Sequence, residues 1–452
     1  MKKMTKLWIA VVVLALLCVT MFTSCAGAGE VLESSGLKFE PAKKGGYEVV
    51  SAGLCTDKNL VIPAEYEGVP VVSIRASAFK DNKGLISVTV PESVTSIGNN
   101  AFEGCVALES VSLTSGLKTL GSEVFSGCTS LTKIELPENL STIGDNVFKG
   151  CNSLNEVAVD YDNVKFVFED GVLYTAGQKQ LIKVFGSADG FVIPSTVTTI
   201  KGGAFHGCDD LTAITIPASV KTIGASAFEG CTALESVTYA AAPAKSTLGN
   251  YAFSGCTALA SVKLPESGLE NIGSYVFSNC TALTSVTLPD TVKKLGDGAF
   301  MGCSGLTTVK LPAAIDQIGY FQFMNCTSLK TVALPAKVSK ILDNAFYACR
   351  SLTSVTFSDS VKEIGAAAFA SCSALTEMAI PSTVVFVGQR AFADCVKLAK
   401  VTVPESVATM SYHVFSGCKA LTSVLCKAAE QPAAWDLEWL GLTDTTIAQF
   451  GQ

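Results

Sequence analysis

Apolar positions in this chain return on a fixed beat. In Cys280 to Gly302, CTALTSVTLPDTVKKLGDGAFMG, they fall at Leu283, Val286, Leu288, Val292, Leu295 and Phe300, and the next copy starts at Cys303. The unit is 23 residues long, and phenylalanine marks it at 79, 102, 125, 148, 205, 228, 253, 277, 300, 323, 346, 369, 392 and 415. A leucine follows each time six residues later, from Leu85 to Leu421. A period between about 20 and 50 residues is the signature of a solenoid, in which each unit buries its apolar face against its neighbours.

Within a unit two periodicities alternate. Val286, Thr287 and Leu288 read in, out, in, which is a strand with one buried face. Pro289 stops it, since proline cannot donate to a ladder. A second short segment, V-x-x-I/L-G, crosses the opposite side. The piece G-x-x-A-F-x-x-C has room for one turn of α or 3₁₀ helix. Strands of successive units then lie parallel and in register, about 4.8 Å apart. Fourteen such coils make an arc of roughly 65–70 Å.

The frame C-x-x-L-x-x-V-x-L-P-x-x-V-x-x-I-G-x-x-A-F-x-x resembles the BspA-like (Treponema-type) leucine-rich repeat of bacterial surface proteins. The place where most leucine-rich repeats carry Asn or Cys past the last strand leucine holds Ser93, Gly116, Asn139, Ser219, Thr291 and Ala314. The usual asparagine ladder is missing, in keeping with that subclass. The resemblance covers about residues 70–425 and implies a right-handed, β-rich superhelix of 14 coils with short helical or 3₁₀ turns. It also implies adhesion, with host or extracellular-matrix proteins as partners.

The flanks and irregularities complete the organisation. Residues 1–24 read as an export signal: Lys2, Lys3 and Lys6, then an apolar run from Leu7 to Val19 that is too short to span a bilayer. Thr23 and Ser24 are small and precede Cys25, a pattern that resembles a bacterial lipoprotein signal with the lipid on Cys25. Phe22 stands where such signals usually carry Leu, and Cys18 is the poorer acceptor because Leu17 before it is bulky. Residues 25–36 are a small, polar tether. Residues 37–72 carry short β-type runs and turn signals, a cap on the first coil. The array occupies 73–425. Between Cys151 and Cys208 an island (about 158–192) is inserted, with two β-type runs at 166–185 predicted to form a hairpin standing off the coil. Smaller insertions fall within 239–253 and at Gly268. Residues 426–452 form a C-terminal cap, with Trp435, Trp439 and Leu440 on one face of a possible helix closing the core.

Composition and charge narrow the function. Apolar residues make up 48% and charged residues 16%, enough for a long core. Losing Lys2, Lys3 and Lys6 takes the formal charge from −7 to −10, which disfavours nucleic acid and anionic lipid headgroups as partners. The only two histidines, His206 and His413, lie many coils apart without a partner at ligand spacing. No phosphate loop or nucleophile elbow appears, so neither catalysis nor a cofactor is expected.

Seventeen cysteines in an exported chain raise disulfides, yet thirteen occupy one repeat slot from Cys105 to Cys418. In-register side chains point the same way rather than toward one another, so a buried, reduced ladder is expected. Gly296 and its counterparts are replaced by Arg75, Lys201, Leu342 and Ser411 in four coils, so that slot does not demand a left-handed backbone.

The outward strand slot reads mostly Thr and Ala, as a solvated sheet does. Lys263 and Lys310 stand out there as a weak anion contact. Tyr174, Trp435 and Trp439 are the aromatics suited to stacking on sugars. The resulting expectation is a non-catalytic, lipid-anchored solenoid at the outer surface of a bacterial envelope that binds proteins of a host or another cell. The alternatives are a glycan-binding component of a surface uptake system and a structural envelope protein.

Overall fold

The computed structural model describes residues 33–451. Each coil has three sides. The first carries the L-x-x-V-x-L strand: Ser285–Thr287 pairs in parallel with Thr308–Lys310, placing Val286 opposite Val309 and Thr287 opposite Lys310. Burial alternates along it, with Val286 inside and Thr287 exposed. The second side carries two-residue strands whose apolar member points inward, as in the row Ile97, Leu120, Ile143. Parallel pairing without a slip lets one methyl-bearing row stack on the next.

The third side departs from the predicted helical turn. Its backbone runs through consecutive tight turns, closed by Ala101 N to Gly98 O (3.3 Å) and Cys105 N to Phe102 O (3.2 Å). Asn100 (φ 60°) and Gly104 (φ 70°) are left-handed within them. Those positive φ values leave every second N–H free to reach the next coil, as in Phe102 N to Val124 O (3.0 Å) and Gly104 N to Ser126 O (2.8 Å). A helical turn would spend these donors internally, so the turns win because they extend the inter-coil ladder to the third side. Among the described residues the one helical segment is the 3₁₀ turn Ala176–Gln178.

Two columns fill the centre. Phenylalanine rings stack at 5.2–6.1 Å from Phe79 to Phe148 and at 4.6–5.7 Å from Phe205 to Phe415. Beside them, twelve cysteine thiols donate to the phenylalanine carbonyl of the preceding coil at 2.9–3.3 Å, as Cys326 Sγ does to Phe300 O. Cysteine suits the slot because it is small, apolar and still a weak donor. All cysteines among the described residues are free thiols. The glycine slot has a steric reason: a Cβ on Gly296 would lie 2.3 Å from Ser274 N in the coil before.

At the N-terminal end, Lys38–Pro41 and Tyr47–Ser51 form an antiparallel hairpin, and the latter strand pairs in parallel with Val69–Ile74. The island differs from the predicted free-standing hairpin. Phe166–Glu169, Val172–Thr175 and Gln180–Val184 form a three-stranded antiparallel unit, and the last strand joins Thr199–Ile200 in the second sheet. Leu173 and Leu181 are fully buried, so apolar area holds the island in the stack. It divides the core into two clusters and interrupts the phenylalanine column, where Phe185 and Phe191 turn their rings against Phe148 and Phe205. Residues 435–440 form turns instead of the possible helix.

The strands of the first side do not make one continuous sheet. Glu156–Val159 and Ala213–Ile216, on either side of the island, belong to separate sheets. Pairing lapses again between Ser261–Lys263 and Ser285–Thr287, between Thr308–Lys310 and Thr331–Ala333, and between Ser354–Thr356 and Glu377–Ala379.

Candidate ligand-binding surface

The structure brings Lys263 and Lys310 together. Both line a groove of about 690 Å³ over the lapse between Ser261–Lys263 and Ser285–Thr287, with Ser261, Glu266, Thr287 and Asp290. The single-residue insertion at Gly268 (φ 82°) lies between Ser261–Lys263 and Leu269–Ile272, and a Cβ there would collide with Pro243 O at 1.9 Å. The groove's charge is mixed: Lys310 Nζ lies 3.5 Å from Asp290 Oδ2, and Glu266 lines the same groove. The expected anion contact is thus compensated at Lys310 by Asp290, in an exposed pair of a kind that contributes little energy.

The three aromatics singled out from the sequence are interior. Tyr174, Trp435 and Trp439 are each 4% exposed. Trp435 Nε1 donates to Val407 O (3.0 Å), its ring meets that of Trp439 at 4.9 Å, and Trp439 packs edge-on to Phe415. A ring held this way cannot stack on a sugar, so the sugar-contact expectation is corrected at all three positions. Their apolar area is used to cover the core. Cys25 lies outside the described residues.

Aromatics missed in the sequence lie on the turn side. Tyr251 and Tyr275 occupy one slot, two residues before the repeat phenylalanine, with rings stacked at 5.1 Å and 7°. Phe321 holds the same slot two coils on, and Tyr320 beside it is 43% exposed. A list of that slot alone (Tyr251, Tyr275, Gly298, Phe321) would have found them. A second groove of about 510 Å³ is lined by Asn250 and Ser274, which precede two of these tyrosines in the chain, and by Asn271, Asp297, Asp316 and Gln317.

Titratable groups inside the array are tuned by burial. The thiols of Cys105, Cys151, Cys256, Cys303 and Cys372 are pushed up to about 12, chiefly because the interior disfavours a thiolate. Such thiols are inert as nucleophiles at neutral pH. His206 is pushed down to about 4 by burial and by the Lys149 ammonium. Lys149 itself bridges to Glu229 Oε2 at 2.7 Å. Lys183 is buried in the island, where its Nζ donates to His206 O (3.1 Å), and desolvation lowers its pKa. His413 Nε2 lies 3.3 Å from Glu438. Among the described residues no three His, Cys, Asp or Glu side chains converge to hold a metal ion. No helix there is long and apolar enough to cross a membrane.

Three-sided coils, parallel strands in register and an interior column of leucine, phenylalanine and cysteine define a leucine-rich-repeat solenoid. The profile of the BspA type leucine rich repeat region matches in six copies over residues 56–170, 185–307 and 293–422. The chain belongs to that family. Among solved structures, a leucine-rich repeat protein from Bacteroides ovatus is 28% identical, with 93% of this chain and 99% of that one covered at a TM-score of 0.53. A leucine rich cell surface protein from Faecalibacterium prausnitzii is 23% identical, covering 88% of this chain and 95% of that one (TM-score 0.42). The pneumococcal vaccine antigen PcpA is 20% identical, covering 72% and 77% (TM-score 0.47). Comparison with curated proteins gives no match.

Proposed function

We propose that this is a non-catalytic binding protein of the bacterial cell surface, lipid-anchored through Cys25, that adheres to proteins of a host or of a neighbouring cell. Membership of the BspA-type repeat family supports a scaffold that presents surface rather than chemistry. The observation that carries the reading is the division of labour within the coil. Leucine, valine, phenylalanine and cysteine slots are buried and repeat, while outward slots such as Thr287, Lys310 and Ala333 change from coil to coil. A long surface of weak contacts gains strength when many copies are displayed on one cell.

The exported chain, from residue 25 onward, is immobilised and offered purified matrix proteins and intact cells. Saturable binding to a protein partner, abolished by protease treatment of the target cells, supports the proposal; the absence of binding to any of them refutes it. Anchoring is read separately by fatty-acid labelling, which Cys25→Ala should abolish.

A further inference from the structure

We infer a second, independent binding site: the corner of the solenoid between Leu248 and Phe321 takes a neutral oligosaccharide. Two features coincide there. The rings of Tyr251 and Tyr275 are stacked, and Tyr275 lies across the bare backbone of Gly298, where a Cβ would meet its Cε1 at 2.3 Å. Glycine in that coil makes room for the ring, which is held between Tyr251 on one side and Gly298 on the other. Tyr320 and Phe321, their rings 6.5 Å apart, lie one coil beyond Gly298. An aromatic rim that is already ordered loses little side-chain freedom on binding.

Asn250 and Ser274, the residues that directly precede Tyr251 and Tyr275 in the chain, line a groove with amides and carboxylates. Asn250 Oδ1 accepts from Ser274 N (2.9 Å) and Asp297 Oδ1 accepts from Tyr320 N (3.0 Å), so backbone bonds fix both side chains in place. Asp316 and Gln317 are exposed at the groove's far side. Planar amides and carboxylates serve paired hydroxyls, and ring faces and edges serve the C–H surfaces of a pyranose. Charge is mixed, because Lys293 and Lys245 sit on Glu270 while Asp297 and Asp316 stand near Lys294. A polyanion or polycation would find no one-sided field there. Both small insertions flank this corner, lengthening the second-side strands to Ser246–Leu248 and Leu269–Ile272 with a register shift between them. The repeat is broken where the groove is built.

The test is a glycan array of neutral, sulfated and sialylated oligosaccharides probed with the exported chain, followed by titration calorimetry on the best neutral ligand. Tyr251→Ala with Tyr275→Ala, and separately Asp316→Ala with Gln317→Ala, should each weaken binding by about tenfold or more. Tyr161→Ala, at a 98% exposed tyrosine away from the groove, should leave it unchanged. The second pair changes exposed side chains, so it reports on the site even if the tyrosine pair disturbs the turns. No neutral glycan bound, or binding unaltered in both double variants, overturns the assignment. Protein adhesion in the preceding experiment can fail or succeed without altering this outcome.

Discussion

Raising the pH should dismantle the thiol column coil by coil. Each buried thiol from Cys105 to Cys372, eleven in all, has its pKa raised, with burial the largest cause in every case. In the unfolded chain the same group titrates near 9.0. A thiol whose folded pKa is raised binds its proton more tightly when folded, so its stabilisation is intact below pH 9 and is lost as pH climbs toward the folded value. By linkage the loss per thiol is well under about 1 kcal/mol at pH 9 and on the order of 1 kcal/mol at pH 10. Over the column this is on the order of 10 kcal/mol at pH 10, comparable to the whole stability of an ordinary domain. Urea unfolding followed by circular dichroism at pH 7.5, 9 and 10, with a phosphine reductant present, should show the midpoint falling steeply between the last two. Replacing four neighbours (Cys303→Ala, Cys326→Ala, Cys349→Ala and Cys372→Ala) should lower neutral stability yet remove roughly a third of the alkaline loss. A midpoint that is the same at pH 7.5 and pH 10, or an alkaline loss undiminished in the fourfold variant, refutes the reasoning.

Phe300→Ala should cost about 3–5 kcal/mol in the same urea assay, because the ring is fully buried between Phe277 and Phe323 and the stack cannot close around the hole. A loss below about 1 kcal/mol would mean the column relaxes freely. Lys183→Met should raise stability by about 1–2 kcal/mol, since it removes a desolvated amine for the loss of one bond to His206 O. Burial holds the folded pKa of Lys183 below 10.5, so stability rises with pH between the folded value and 10.5, and the Met variant should lack that contribution. Hydrogen exchange in intermediate urea should show the two core clusters opening at different concentrations, with the boundary at residues 166–193; a single concerted opening would count against a thermodynamic divide at the island.

The periodic part of the fold was legible because one set of residues is read fourteen times. A strand, a proline stop and a buried phenylalanine each carry a spacing that survives any one exception, as Asn82 does in the cysteine slot of the first coil. Two errors share a cause. The turn side was expected to be helical because G-x-x-A-F-x-x-C is long enough for one helical turn, but that local arrangement yields to the inter-coil bonds that positive φ at Asn100 and Gly104 makes available. The island was expected to stand clear because its alternation matched a hairpin, yet Leu173 and Leu181 bury completely. Alternation reports that one face is apolar and is silent on what covers it.

The same logic explains why conspicuous aromatics misled and inconspicuous ones did not announce themselves. Trp435 and Trp439 stand out in a chain with three tryptophans, and they are spent on the last coil, whose core would otherwise meet water. Tyr251 and Tyr275 sit in a slot that elsewhere holds Asn100, Glu123 or Ser226, where nothing apolar is needed. In a solenoid, burial demands the same residue in every coil, so a large ring at an outward position that other coils fill with small or polar groups has no structural work to account for it. That criterion selects Tyr251, Tyr275 and Tyr320, together with Tyr412 near the C-terminal end, and rejects Tyr174. It also explains the coincidence with the insertions near 239–253 and at Gly268. A scaffold held by in-register stacking gains a local surface feature most readily where one coil is lengthened, because the flanking coils keep their pairing, as Thr222–Ile223 and Lys294–Leu295 do on either side of the altered strands.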